Sequence, residues 1–375
     1  KNINIPNGIT ILETGLFDDC VSLETILLSN NITSIESYVF SSCTKLKEII
    51  IPDSVTSIGN NAFQYCSSLK SLTIPDSVKS IGEETFIGCT SLTSLTLPFM
   101  GSSPSSYKGM AYFFESDWSY NDDYILENLK SVIITGGTKI PAKAFYGWHS
   151  ITSIIIPDTV TSIDESAFDG CSSLTSIKIP EKVRSIGDYA FYNCSSLSNM
   201  IIPNNVTKIG EGALGGCANI EYLTLPFIGD DTTLDYIFSS KSYYSAELKL
   251  KHVIVTNTER IGDYAFNGFS ELKSIIVPES ITSIGDYAFY GCSGLSSILI
   301  PNGVINIGDY AFYGCQGLEK VEISDNVTSI GDYAFSDCTG LTNISLGNSI
   351  TTIGLSAFSN CCNIENVVIP DSVIT

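Results

Sequence analysis

The sequence predicts an α/β-type repeat solenoid, a coil with a concave parallel β-sheet on one side and 3₁₀, short helical or irregular structure on the convex side. Two observations carry this. A phenylalanine recurs every 23 residues, at Phe17, Phe40, Phe63 and Phe86, at Phe145, Phe168 and Phe191 with Leu214 next, and at Phe289, Phe312, Phe335 and Phe358. A fixed period in the twenties marks stacked units, each too small to bury its apolar face alone. An aliphatic pair with one residue between its members follows each anchor, and proline usually follows the pair. That alternation is the period-two pattern of a half-buried strand.

One repeat shows each element in order. In Leu69 to Phe86, LKSLTIPDSVKSIGEETF, Leu72 and Ile74 alternate with Ser71 and Thr73. Pro75 cannot donate to a ladder and ends the strand. Asp76 and Ser77 make a turn, Val78 and Ile81 return to the core, and Gly82 reads as a second tight corner. The stretch around Phe86 is too short for an independent helix and predicts a 3₁₀ or ragged α turn. Counting aliphatic pairs from Ile3/Ile5 to Val367/Ile369 gives about sixteen rungs. At ~4.8 Å per strand they predict a coil on the order of 75 Å long. We expect a single solenoid domain over 1–375 with both ends cut within a repeat.

Two repeats are enlarged, at roughly 98–128 and 226–249, after the related segments LTLPFMG and LTLPFIG. Their anchors are Phe114 and Phe238, and the added residues are expected to protrude as bulges.

The chain carries 40 Asp plus Glu against 19 Lys plus Arg, a net charge of -21. That balance argues against nucleic acid or an anionic membrane as partner. No apolar run approaches the roughly 20 residues that span a bilayer, and no signal-peptide pattern opens the chain. Of twelve cysteines, eleven hold one repeat position that Trp148 and Phe269 occupy elsewhere. A site that accepts Cys, Trp or Phe is a packing site, so reduced, core-lining thiols are expected. With no CxxC and only two histidines, no metal and no cofactor are expected. His149 and His252 have no nucleophile at a recognisable spacing, so no catalytic residue is assigned and the chain reads as a non-enzyme.

The repeat C-x-x-L-x-x-I-x-I-P-x-x-V-x-x-I-G-x-x-A-F resembles the BspA-type leucine-rich repeat family over essentially the whole chain. The resemblance implies a leucine-rich-repeat coil with its strands on the concave side, displayed at the cell surface or outside the cell, with adhesion as a family role. Ser29, Ser324 and Gly347 depart from the proline position. The motif residues are scaffold, so the resemblance transfers no functional residue.

Three features invite a functional reading. The aspartates of GDYAF (Asp188, Asp263, Asp286, Asp309, Asp332) read as local caps of a short helical turn rather than as a calcium ladder. The residue between the paired strand aliphatics points out of the core, yet it is Leu27, Ile50, Ile155, Ile201, Ile276, Leu299 and Val368, an apolar column where polar residues belong. Aromatics crowd the bulges, at Trp118, Tyr120, Tyr124, Tyr243 and Tyr244. The leading reading is a surface-displayed, adhesin-type module that binds a protein, on a host matrix or another cell surface, through the column or the bulges. The second is a carbohydrate-binding module that uses the bulge aromatics, and the third is an intracellular scaffold.

Overall fold

The computed structural model describes residues 1–106, 108–114, 127–229, 231–239 and 248–375. They fall into two compact units, Lys1–Leu197 and Ser198–Thr375. Each is a solenoid of parallel strands.

In the first unit the aliphatic-pair strands Asn2–Asn4, Thr25–Leu27 and Glu48–Ile49 form one ladder, and Ser71–Thr73, Ser94–Leu97, Ser131–Ile134 and Ser153–Ile155 form another. Leu72 pairs with Leu95, 23 positions on, whereas Ser94 pairs with Ser131, 37 positions on. The second unit repeats this with Asn199–Ile201, Tyr222–Leu225, His252–Val255 and Ser274–Ile276, where Tyr222 pairs with His252, 30 positions on. The enlarged repeats thus keep the inside-outside alternation of the sheet. Of the expected aliphatic-pair strands, none forms at Ile177/Ile179, and at Ile298/Ile300 and Val367/Ile369 the chain makes only single bridges through Ser297 and Asn366.

A second, narrower ladder lies where the sequence suggested only a corner. The residue pairs at this corner, most of them Ser-Ile and most followed by glycine, form two-residue parallel strands, Ile11–Leu12, Ser34–Ile35, Ser57–Ile58 and Ser80–Ile81 in one series and Arg260–Ile261, Ser283–Ile284, Asn306–Ile307, Ser329–Ile330 and Thr352–Ile353 in another. The glycine that follows serves close approach rather than a left-handed turn. A Cβ on Gly82 would lie 2.3 Å from the Asn60 nitrogen in the rung before, and on Gly59 it would lie 2.4 Å from that of Ser37.

The anchors make the core. Phe266, Phe289, Phe312 and Phe335 are fully buried and stack at 5.0, 5.0 and 4.9 Å, nearly coplanar in orientation. Phe145, Phe168 and Phe191 do the same in the first unit, at 5.3 and 5.1 Å. No 3₁₀ or α turn forms around a regular anchor. The residues two before and two after the phenylalanine are left-handed, as at Tyr38 and Ser42 (φ 59° and 57°) and at Asn61 and Tyr65 (φ 56° and 55°). This geometry alternates the amide directions. Phe40 and Ser42 donate to Ala62 and Gln64 of the next rung, while Ser41 and Cys43 donate back to Tyr38 and Phe40. Every second amide is therefore spent on stacking, where a helix would spend all of them on itself. Among the described residues, one turn of α-helix forms only in the enlarged repeats, Ala111–Phe114 and Leu234–Phe238, the latter capped by Thr233, whose side chain accepts from the Tyr236 amide.

Candidate functional site

The outward face of the main sheet is the first candidate. Strand pleating sends alternate side chains out, and the pairing sets them in line one strand spacing apart. Leu27, Ile50 and Ile155 stand on this face in the first unit, and Ile201, Ile276 and Leu299 in the second; Ile50 is 78% and Leu299 69% exposed. Val368 is exposed too, but so are its neighbours Val367 and Ile369, so at that rung exposure does not separate the outward position from the inward ones. The column also takes in Ile133, aligned with Ile155, and Ile254, aligned with Ile276. Neither was singled out from the sequence, although the bracketing pairs Val132/Ile134 and Val253/Val255 mark both.

The column is interrupted in the first unit. Thr73 and Thr96 lie side by side in it, between Ile50 and Ile133. Beyond the ends of these strands an open cleft of about 430 Å³ is lined by Thr73, Thr96, Thr135, Asp53 and Asp76. Its origin is the enlarged repeat. Where other rungs turn outward after proline, Phe99 and Met100 turn into the core, leaving one turn missing from the rim. Thr135 bridges the gap by donating its hydroxyl to the Asp76 carboxylate. In the second unit Thr256 donates to Asn204 in the same way, so that site carries an amide in place of a carboxylate.

A second outward column in the second unit holds Tyr222, His252 and Ser274. Tyr222 stacks on His252 at 4.7 Å, and His252 Nδ1 lies 2.8 Å from Ser274 Oγ. The sequence reading found no nucleophile near His252, because the serine is supplied by the next rung. The neighbouring amides are committed to the sheet: those of His252 and Ser274 bond to the Glu221 and Lys251 carbonyls. Together the serine and the imidazole support the exposed Tyr222 ring on this face.

His149, in the first unit, is exposed, its Nδ1 3.2 Å from the Gly147 carbonyl. The bulge aromatics Trp118, Tyr120, Tyr124, Tyr243 and Tyr244 lie outside the described residues. The aspartate series departs from its expected role. Asp263, Asp286, Asp309 and Asp332 each accept the backbone amide of the equivalent residue one rung later, at 2.6 to 2.9 Å, rather than capping their own turn. Beside them Tyr264, Tyr287, Tyr310 and Tyr333 stack at 4.8 to 4.9 Å, a ladder the sequence reading did not single out.

The family model for the BspA type leucine rich repeat region matches in six copies, over residues 1–107, 138–258 and 259–375. No curated protein matches the chain. Among solved structures, a leucine-rich repeat protein of Bacteroides ovatus is 24% identical, with 97% of this chain and 77% of that one covered and a TM-score of 0.40. A leucine rich cell surface protein of Faecalibacterium prausnitzii is 28% identical over 92% of this chain and 86% of that one, with a TM-score of 0.31. The repeat motif, the parallel rungs it builds and a family model matched along nearly the whole sequence agree, and the chain belongs to the BspA-type leucine-rich repeat family.

Proposed function

We propose that this chain is a non-catalytic, surface-displayed binding module of adhesin type, and that it holds a protein partner on the outward face of its main sheet. The observation that carries this reading is the exposed aliphatic column. Isolated exposed aliphatics are ordinary, but here several stand on neighbouring rungs within each unit and gather apolar area on one face. Location at the cell surface, with a host matrix or another cell as the source of the partner, follows from the family resemblance. Carbohydrate binding by the bulge aromatics is the competing reading, supported by their density in the sequence.

The test compares variants against a partner captured from host matrix or cell-surface extracts and then purified. Ile50→Lys with Ile155→Lys removes the column of the first unit, and Ile201→Lys with Ile276→Lys that of the second. Either pair should weaken binding at least tenfold while the thermal midpoint stays within a few degrees. If both pairs bind as the parent does and Trp118→Ala does not, the contact lies on the bulge and the sheet-face reading fails.

A further inference from the structure

The break in the first unit's column specifies what its partner offers. Two aliphatic stretches, Leu27–Ile50 and Ile133–Ile155, flank Thr73 and Thr96, and the cleft opens beside the two threonines. Its walls supply acceptors. Among the described residues neither Asp53 nor Asp76 has an ion-pair partner; the Asp76 carboxylate accepts from the Thr135 hydroxyl, and the Lys79 ammonium donates to the Asp76 backbone carbonyl at 2.8 Å. We propose that the cleft takes a lysine or arginine side chain from a partner segment lying along the column, whose aliphatic residues rest on the flanking stretches.

This deepens the sheet-face reading and rests on it. Charge complementarity argues for the cation: the cleft's polar groups are hydroxyls and two carboxylates, set beside Ile74 and Pro75, and in a chain of net charge -21 they disfavour an anionic group and leave a neutral one without its best partner. Spacing argues for the flanks. Ile50 and Ile133 lie three strand spacings apart, about 14 Å, and an extended peptide covers about 13 Å between residues four apart, whose side chains share one face. The residue midway projects to the same face and meets the two threonines. The rim of the second unit carries Asn204 where the first has Asp76, so the carboxylate that accepts from Thr135 has a neutral counterpart there.

The probe is a fluorescent nonapeptide of serines with isoleucine at positions 3 and 7 and lysine at position 5, titrated into the whole chain by anisotropy. The lysine peptide should bind at least tenfold tighter than its glutamine-5 counterpart, and Asp53→Asn with Asp76→Asn should erase that difference while leaving the glutamine peptide unaffected. Raising salt should also narrow it. Equal binding of the two peptides, or binding of neither, overturns the inference. Ile50→Lys with Ile155→Lys separates the two failures. If peptides bind without regard to charge but lose binding in that variant, only the cation site is wrong; if they bind that variant unchanged, the sheet-face reading fails with it.

Discussion

The Cys66 thiol donates to the Phe40 carbonyl of the preceding rung, 3.1 Å away, and the Cys43 amide donates to that same oxygen at 3.2 Å. The arrangement recurs from Cys89 to Phe63 and from Cys292 to Phe266. Cysteine at this position is therefore more than a small apolar filler, since its thiol ties each anchor to the next. Cys66→Ala should cost about 1–3 kcal/mol, part cavity and part lost hydrogen bond. Denaturant unfolding measures this; a cost near zero would mean that packing alone holds the position.

Burial pushes the Cys43, Cys89 and Cys292 thiols up to about 12. An unfolded thiol ionises near 8.5. Between these values the native chain holds protons that the unfolded chain has released, so the contribution to stability is complete below about 8.5 and falls as pH rises toward 12. Each such thiol steepens the fall by at most about 1.4 kcal/mol per pH unit. Denaturant midpoints should drop between pH 8 and pH 10, and a Cys43→Ala, Cys89→Ala, Cys292→Ala variant should show a shallower slope. An unchanged slope would contradict the assignment.

Thiol reactivity gives a separate check. Cys362 is exposed, and the neighbouring Cys338 sulfur holds the half-buried Cys361 below the usual thiol pKa. At pH 8 an alkylating reagent should label Cys362 first and Cys361 next, with Cys66, Cys171 and Cys315 modified only on unfolding. Mass spectrometry of a time course reads the order directly.

Much of this was legible beforehand because the repeat is a packing rule written many times. A phenylalanine every 23 residues and the IxIP alternation suffice to place Phe289 in the core and Ile298 inside, Leu299 outside. What stayed hidden depends on distance between rungs. Gly82 looks the same in sequence whether it serves a left-handed turn or a backbone approach, and only the 2.3 Å clash with Asn60 separates them. Ser274 is a neighbour of His252 through sheet pairing, 22 positions along the chain. The cleft was illegible for a related reason: it is the absence of one turn from the rim, and its parts, Asp53, Asp76 and Thr135, come from three rungs.

The anchor ladder predicts local loss. Phe289 stacks on Phe266 and Phe312, both at 5.0 Å, and is fully buried. Phe289→Ala should cost roughly 3–5 kcal/mol. Nearest-neighbour coupling should confine the faster amide exchange to the adjacent rungs. Uniform acceleration throughout the second unit would show a longer cooperative unit.

Tyr310 sits at φ 54°, a conformation that disfavours a bulky residue, yet its ring lies between Tyr287 and Tyr333 at 4.8 Å from each. Stacking on both sides, about 0.5–1.5 kcal/mol per pair, offsets a backbone cost of about 1–2 kcal/mol. Glycine would relieve the backbone and lose the rings; alanine would lose the rings and keep the strain. Thermal midpoints should therefore rank parent above Tyr310→Gly above Tyr310→Ala. Alanine equal to glycine would show that the left-handed position carries no strain.

Asp309 accepts the Asp332 amide at 2.7 Å and donates its own amide to Asp286 at 2.8 Å, so each aspartate links two rungs. What the position requires is an acceptor of the right length, and charge is incidental. Asn60 confirms the chemistry elsewhere, taking the Glu83 amide at 3.0 Å. Asp309→Asn should thus stay within a few tenths of a kcal/mol of the parent, aided by relief of repulsion along an acidic column, whereas Asp309→Ala should cost about 1 kcal/mol by leaving an amide unmatched. Calcium should leave all three midpoints unmoved, because the Oδ1 atoms that would face the ion are already engaged by the next rung. An asparagine variant as unstable as the alanine one, or a parent raised several degrees by calcium, would instead mean that the column needs its charge.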